Sequence, residues 1–194
     1  MKKIFALILT ATLILSALSL VGCGSNNTAD NSSSEATVEV DALEALKNVW
    51  DNYEEENKFA VIGGDMSNPV SDGPGEFGLD DAAEVNDKIG IPEDKVATID
   101  KAATLIHMMN ANTFSAAAVH AAEGNNVEDI ATTIGDNLKT RQWMCGIPEK
   151  HVILKVGSNT IISAFGANEI VTVFLDKVKV AYPDNTILLE QTFE

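Results

Sequence analysis

The residues able to do chemistry are few, and they are scattered. Two thiols stand out, Cys23 and Cys145. Three imidazoles follow, His107, His120 and His151. A thiol serves as a nucleophile only with a lowered pKa and a base beside it. Cys145 lies in Trp143-Met144-Cys145-Gly146 with no second cysteine near it, so there is no dithiol motif. At the end of a helix the dipole has the wrong sign for a thiolate. Cys145 is therefore expected to be a small buried apolar residue. The histidines show no H-x-H or H-x-x-x-H spacing. They would make a metal cluster only if folding gathered them, and ordinary packing is the expectation.

Cys23 belongs to a different chemistry. Met1-Lys2-Lys3 is a short positive start, and Ile4 to Val21 is an apolar run of 18 residues. Leu20-Val21-Gly22-Cys23 then closes the layout of an export signal cut before a cysteine. The thiol of Cys23 is the expected site of a diacylglycerol thioether, with fatty acyl chains such as palmitate holding the chain at a membrane. Each buried acyl CH₂ contributes roughly 0.8 kcal/mol. An uncleaved span is the competing reading, and 18 residues is at the short edge for one. Residues 1–22 are read as the signal peptide, and 23–40 as the lipidated cysteine with a polar tether. Gly24 to Ala36 lacks any large apolar residue. Asn26-Asn27-Thr28 and Asn31-Ser32-Ser33 match a glycosylation triplet, which the export signal argues against. If Cys23 carries lipid, Cys145 has no disulfide partner within the chain.

Charge narrows the function classes. The chain carries 13 basic and 29 acidic residues, a formal charge of −16. Loss of Lys2 and Lys3 leaves 11 basic residues and takes the charge to −18. Arg141 is the sole arginine. Such a chain is a poor partner for nucleic acid or anionic lipid surfaces. The expected partners are the membrane, through Cys23, and a protein at the cell envelope. No cofactor is implied.

The elements that would position these residues follow from apolar spacing, and residues 41–194 read as one α+β domain. Its helical and loop part is 41–100, and its sheet core is 101–194. Leu43, Leu46, Val49, Trp50 and Tyr53 form a helical stripe from Asp41 toward Asn57. Gly63 to Gly78 holds five glycines and two prolines and reads as an irregular loop. Asp65, Asp72, Glu76, Asp80 and Asp81 in and after it would suggest calcium, but the spacing fits no EF-hand loop. Asp80 is the expected cap of a short helix ending at Gly90, with a turn starting at Pro92.

Ala102 to Met109 and Thr113 to His120 read as a β-hairpin about Asn110-Ala111-Asn112, with His107 facing Ser115. Ala116-Ala117-Ala118 makes a helix the competing reading for the second run. Asn125 with Glu128 resembles a capping box opening a helix on Val127, Ile130, Ile134 and Leu138. His151 to Val156 and Thr160 to Phe165 are strands about Gly157-Ser158-Asn159. Asn168 then caps a helix on Val171, Phe174 and Val178, and Thr186 to Glu190 is a last strand. The order from Thr113 is β-α-β-β-α-β, a ferredoxin-like split sheet with both helices on one face. The 102–109 strand is expected at its edge. Met108-Met109 with Phe114 is expected in the core or on a sheet face rather than as a ligand box. Arg141, in Arg141-Gln142-Trp143, is expected to pair with an acidic helix or loop.

His107-Met108-Met109-Asn110-Ala111-Asn112-Thr113-Phe114, Arg141-Gln142-Trp143-Met144-Cys145-Gly146 and Phe165-Gly166 together resemble a group of small bacterial lipoproteins. Trp50-Asp51, Phe59 and Gly63-Gly64-Asp65 also fit that group. Its members carry an uncharacterised C-terminal domain, and some are labelled bacteriocin transport accessory protein. The resemblance covers nearly all of Asp41 to Glu194 and implies a membrane-anchored binding or accessory module. It implies no catalytic residues. The alternative is a thiol- or metal-dependent enzyme using Cys145 or the histidines.

Overall fold

The computed structural model describes residues 38–193, within a compact unit Glu35–Glu194. The signal peptide, Cys23 and the tether up to residue 37 lie outside the described residues. The amide of Ser158 donates to the Val38 carbonyl at 3.0 Å, and the Thr160 hydroxyl donates to the Val40 carbonyl. The chain is thus already tied to the domain at Val38, before the Asp41 boundary.

Asp41 caps α1 (Ala42–Trp50), its Oδ1 accepting from the amides of Leu43 and Glu44 at 2.9 and 3.2 Å. The helix ends earlier than Asn57, and Glu55–Asn57 forms a single 3₁₀ turn. The helix closes at Asp51, whose amide still donates to the Lys47 carbonyl at 2.9 Å. The glycine-rich segment is more ordered than its composition suggests. It contains the end of β1 (Val61–Gly63), then β2 (Val70–Ser71) and β3 (Gly75–Glu76). β1 pairs with β2, and β3 pairs with the strand that follows.

Asp81, not Asp80, caps α2 (Ala82–Ile89), and Gly90 closes it at φ 89°. The hairpin forms from β4 (Ile99–His107) and β5 (Phe114–Ala121). Its register is Ile106 opposite Ser115, one residue from that expected for His107. The connection runs from Met108 to Thr113, longer than the Asn110–Asn112 turn assumed. A slip of one residue changes which face each partner shares. Asn126, not Asn125, caps α3 (Val127–Thr140), accepting from Glu128 and Asp129. β6 (Lys150–Val156), β7 (Thr160–Gly166), α4 (Asn168–Ala181) and β8 (Thr186–Thr192) complete the chain. Asn168 does not cap α4. Ala167 is the cap residue, and the Glu149 carboxylate takes the Asn168 amide at 2.8 Å.

The fold is α+β: an open antiparallel sheet of eight strands in the order β2-β1-β4-β5-β7-β6-β8, with β3 also on β4. β4 is an interior strand, because β1 and β3 cover its outer edge. The ferredoxin-like order is not found. Such a sheet returns its fourth strand beside its first, whereas β8 pairs with β6. β5 and β6 run parallel with β7 between them, and β7 and β8 run parallel with β6 between them. Both connections step the same way across the sheet, but β5 and β7 point in opposite directions. Right-handed connections then place α3 and α4 on opposite faces.

Two cores result. α1 and α4 bury Leu46, Trp50, Phe174 and Val178 against Phe114, Leu154 and Ile162. α2 and α3 bury Ile89, Ile134 and Leu138 against Ile153, Ile161 and Phe165 on the other face. Ala116, Ala117 and Ala118 are all buried in β5, alternating between these cores. Small side chains suit a central strand covered on both faces, so tertiary packing overrides the helical preference of alanine.

Candidate functional site

The strands carry the histidines to three separate places. His107, at the β1 end of β4, stacks on Phe59 at 5.7 Å. Its Nδ1 accepts from the amides of Met109 and Asn110 at 3.2 and 3.4 Å. His120 pairs across from Lys101, at the far end of β4, and its Nδ1 lies 2.7 Å from Asp100 Oδ1. His151 is fully buried in β6 under α3. Among the described residues no three His, Cys, Asp or Glu side chains gather around a point.

The acidic residues of the glycine-rich segment largely serve the backbone. Asp65 Oδ1 accepts from Ser67 and Asn68, and Oδ2 from Gly78 at 2.8 Å. These amides hold its carboxyl below the ordinary carboxylate range. Asp72 sits at φ 60°, and its carbonyl accepts from the Trp50 indole. Asp81 is spent on its helix cap. Glu76 and Asp80 are exposed.

Cys145 is exposed rather than buried, at φ 64° in a loop beyond the helix. α3 ends at Thr140, so its dipole does not act on the thiol. Asn112 holds that loop, donating to the carbonyls of Met144 and Gly146 at 2.7 Å each. Among the described residues Arg141 pairs with no carboxylate. Its guanidinium donates to the carbonyls of Asn86 and Asp87, at the C-terminal end of α2. A cation there satisfies orphan carbonyls and complements the dipole.

A cleft opens where α3 ends, next to β6 and β8. Its volume is about 770 Å³, within the ordinary range of ligand sites. Trp143 and Phe193 form its aromatic wall, with ring centroids 5.5 Å apart, and Phe165 lies 5.3 Å behind Trp143. Arg141 lies 5.1 Å over the Trp143 ring. The Trp143 indole N–H is buried and has no partner among the described residues. Among the described residues, Lys139, Arg141 and Lys150 line the cleft against one acidic side chain, Glu190, which pairs with Lys150 at 2.8 Å. In a chain of −16 this local excess of positive groups is unusual.

His151 underlies the aromatic wall. Its ring stacks on Phe193 at 6.2 Å, and Phe165 meets it edge-on at 6.3 Å. Gln191 Nε2 donates to His151 Nδ1 at 3.1 Å, so Nε2–H donates to Ser163 Oγ at 2.9 Å. Burial pushes the imidazole down to about 3, so it stands neutral. Strand alternation puts Gln191, His151 and Ser163 on the α3 face.

Sequence reasoning singled out Arg141 and Trp143 but not Lys139, Lys150, Gln191 or Phe193. β8 was expected to stop at Glu190, yet it continues to Thr192. The alternation Leu189, Gln191, Phe193 was the available sign. Among the described residues no helix is long and apolar enough to cross a membrane. Compared with family models, with curated proteins and with solved structures, the chain matches none.

Proposed function

We propose that this chain is a lipid-anchored, extracytoplasmic binding module whose ligand occupies the cleft between α3, β6 and β8. The observation that carries this is the cleft itself: a basic rim around a Trp143–Phe193 wall in a strongly acidic chain. A ligand with a flat apolar part and an anionic group fits that chemistry. Its apolar part would lie on the aromatic wall and its charge near Lys139 and Lys150. Lys139 is exposed and makes no ion pair among the described residues. The dispersal of Cys145 and the histidines weakens the competing reading of an enzyme built on them.

Anchoring through Cys23 at the cell envelope, and a protein partner there, are part of the same proposal. Kinship with the lipoproteins that carry transport-accessory labels, read from sequence motifs alone, belongs to the same proposal. As architecture, we read β5 to β8 as two interleaved split β-α-β units, related to the ferredoxin-like plan by element order alone.

Two experiments test this reading. The wild-type chain, expressed in a bacterium, should partition into the detergent phase, and Cys23→Ser should move it to the aqueous phase. Equal partitioning removes the anchor. For the cleft, anilinonaphthalene sulfonate is a suitable anionic aromatic probe. It should bind saturably to the full chain with energy transfer from Trp143. Lys139→Glu with Lys150→Glu should weaken it by about tenfold, as two charge reversals at high dielectric would. An unchanged affinity in that variant sinks the assignment of the cleft.

A further inference from the structure

The described residues contain four methionines, and none is buried. Met66, Met108, Met109 and Met144 are 52 to 86% exposed. The two cores use Ala, Val, Ile, Leu and Phe instead. Methionine ordinarily ranks among the most buried side chains, so its complete exclusion calls for a reason. Of the three residues expected in the core or on a sheet face, Phe114 is buried, whereas Met108 and Met109 lie exposed in the connection after β4.

The placement is not random either. Met66, Met108 and Met109 line one depression of about 260 Å³, beside β1 and the end of β4. Met66 comes from the loop that Asp65 organises through three backbone amides. Met108 and Met109 come from the β4–β5 connection. The Met108 amide donates to the Ala60 carbonyl at 3.0 Å, and the Met109 amide donates to His107 Nδ1. Both methionine backbones are therefore held, while their side chains stay free. Asp65, Glu84 and Lys88 stand in the same wall, two carboxylates against one ammonium.

We propose that this depression is a thioether site for a soft monovalent cation, Cu(I) or its analogue Ag(I). Thioethers are soft, uncharged ligands that no pH protonates, and they select Cu(I) over hard cations. Three flexible thioethers satisfy a low-coordinate d¹⁰ ion without a preformed cage. His107 is not a ligand but a positioning residue. With two amides donating to Nδ1, its ring proton sits on Nε2, and neither nitrogen offers a free lone pair. Its role is to hold the turn that presents Met108 and Met109. The cation arrives and leaves as a monovalent ion, so no redox step is involved. This site is separate from the aromatic cleft and stands or falls independently of it.

Ag(I) is the probe of choice, titrated into the full chain carrying Cys23→Ser and Cys145→Ser, because free thiols would compete. Methyl NMR of labelled methionine should show the resonances of Met66, Met108 and Met109 shifting together to saturation at one equivalent. Met144 should stay in place. Met108→Leu with Met109→Leu, conservative in volume and exposed, should weaken Ag(I) by about tenfold or more. His107→Ala should weaken it less and broaden the Met108 and Met109 resonances. Unmoved methyls, shifts confined to Met144, or unchanged affinity in the double leucine variant would each overturn the site.

Discussion

At pH 5 the folded chain is expected to be about 2 kcal/mol less stable than at pH 7, with His151 responsible for the loss. The imidazole is fully buried and its pKa is pushed down to about 3 by desolvation. The unfolded chain takes up the proton near 6.5, whereas the folded chain refuses it until about 3. Between those values the unfolded state binds more protons, so stability falls as pH falls. The loss is absent above the unfolded pKa, grows through the window and reaches roughly 4 kcal/mol near pH 3. Against a typical 5–15 kcal/mol of folding stability, even 2 kcal/mol is large.

The carboxylates do not confuse the upper part of that window. Glu54, Glu128 and Glu190 are lowered below their ordinary 4.5, chiefly by hydrogen bonds from Lys177, Lys155 and Lys150. Their contribution is present above the unfolded value and is lost only as pH falls below it. Urea unfolding at pH 7 and pH 5 should therefore isolate the histidine. His151→Gln keeps an amide for Ser163 and Gln191 but cannot gain a proton. The variant should show a much smaller difference between the two pH values. If both proteins lose the same stability, His151 is not the sensor.

Gly75→Ala is expected to destabilise the domain by about 3 kcal/mol or more, while Gly73→Ala, two residues away, should be nearly neutral. A Cβ on Gly75 would sit 2.5 Å from the Gly64 nitrogen and 2.8 Å from the Gly63 carbonyl carbon. Reciprocally, a Cβ on Gly63 would sit 2.2 Å from the Gly75 nitrogen. All of these neighbours are backbone, so no flexible side chain can yield. At Gly73 an added Cβ meets nothing within 4 Å. There alanine restricts the unfolded chain and costs the folded one little. The paired glycines let β1 and β3 lie together along β4, which also sets the wall bearing Met66. Thermal unfolding should show a drop of about 6–12 °C for Gly75→Ala. A drop of similar size for Gly73→Ala would mean that loop flexibility, not the close approach, is what matters.

The legible and illegible parts of the fold divide by range. Apolar stripes on Leu43, Leu46, Val49 and on Val127, Ile130, Ile134, Leu138 identified helices, because a 3.6-residue period is written locally. Caps were located to within one residue only. Asp80-Asp81 and Asn125-Asn126 each offer two equal acceptors, and only the path of the preceding chain selects the second. The hairpin was legible, but its register was not. His107 and Asn110 Oδ1 take three backbone amides in the connection and fix its length.

The sequence by itself determined the kinds and order of the elements from β4 onward, along with an acidic composition and a thiol with no intrachain partner if Cys23 is lipidated. The proposed anchor at Cys23 rests on sequence alone. Tertiary structure decided the rest. It placed β8 on β6 rather than beside β5, and so sent α3 and α4 to opposite faces. It gathered Lys139, Lys150, Trp143 and Phe193, which are spread over 55 positions of sequence, around one cleft. It buried His151 and left Cys145 and every described methionine in solvent. The physical reason is common to all of these. Periodicity is a property of neighbours along the chain, whereas strand order, burial and convergence depend on which distant surfaces exclude water together.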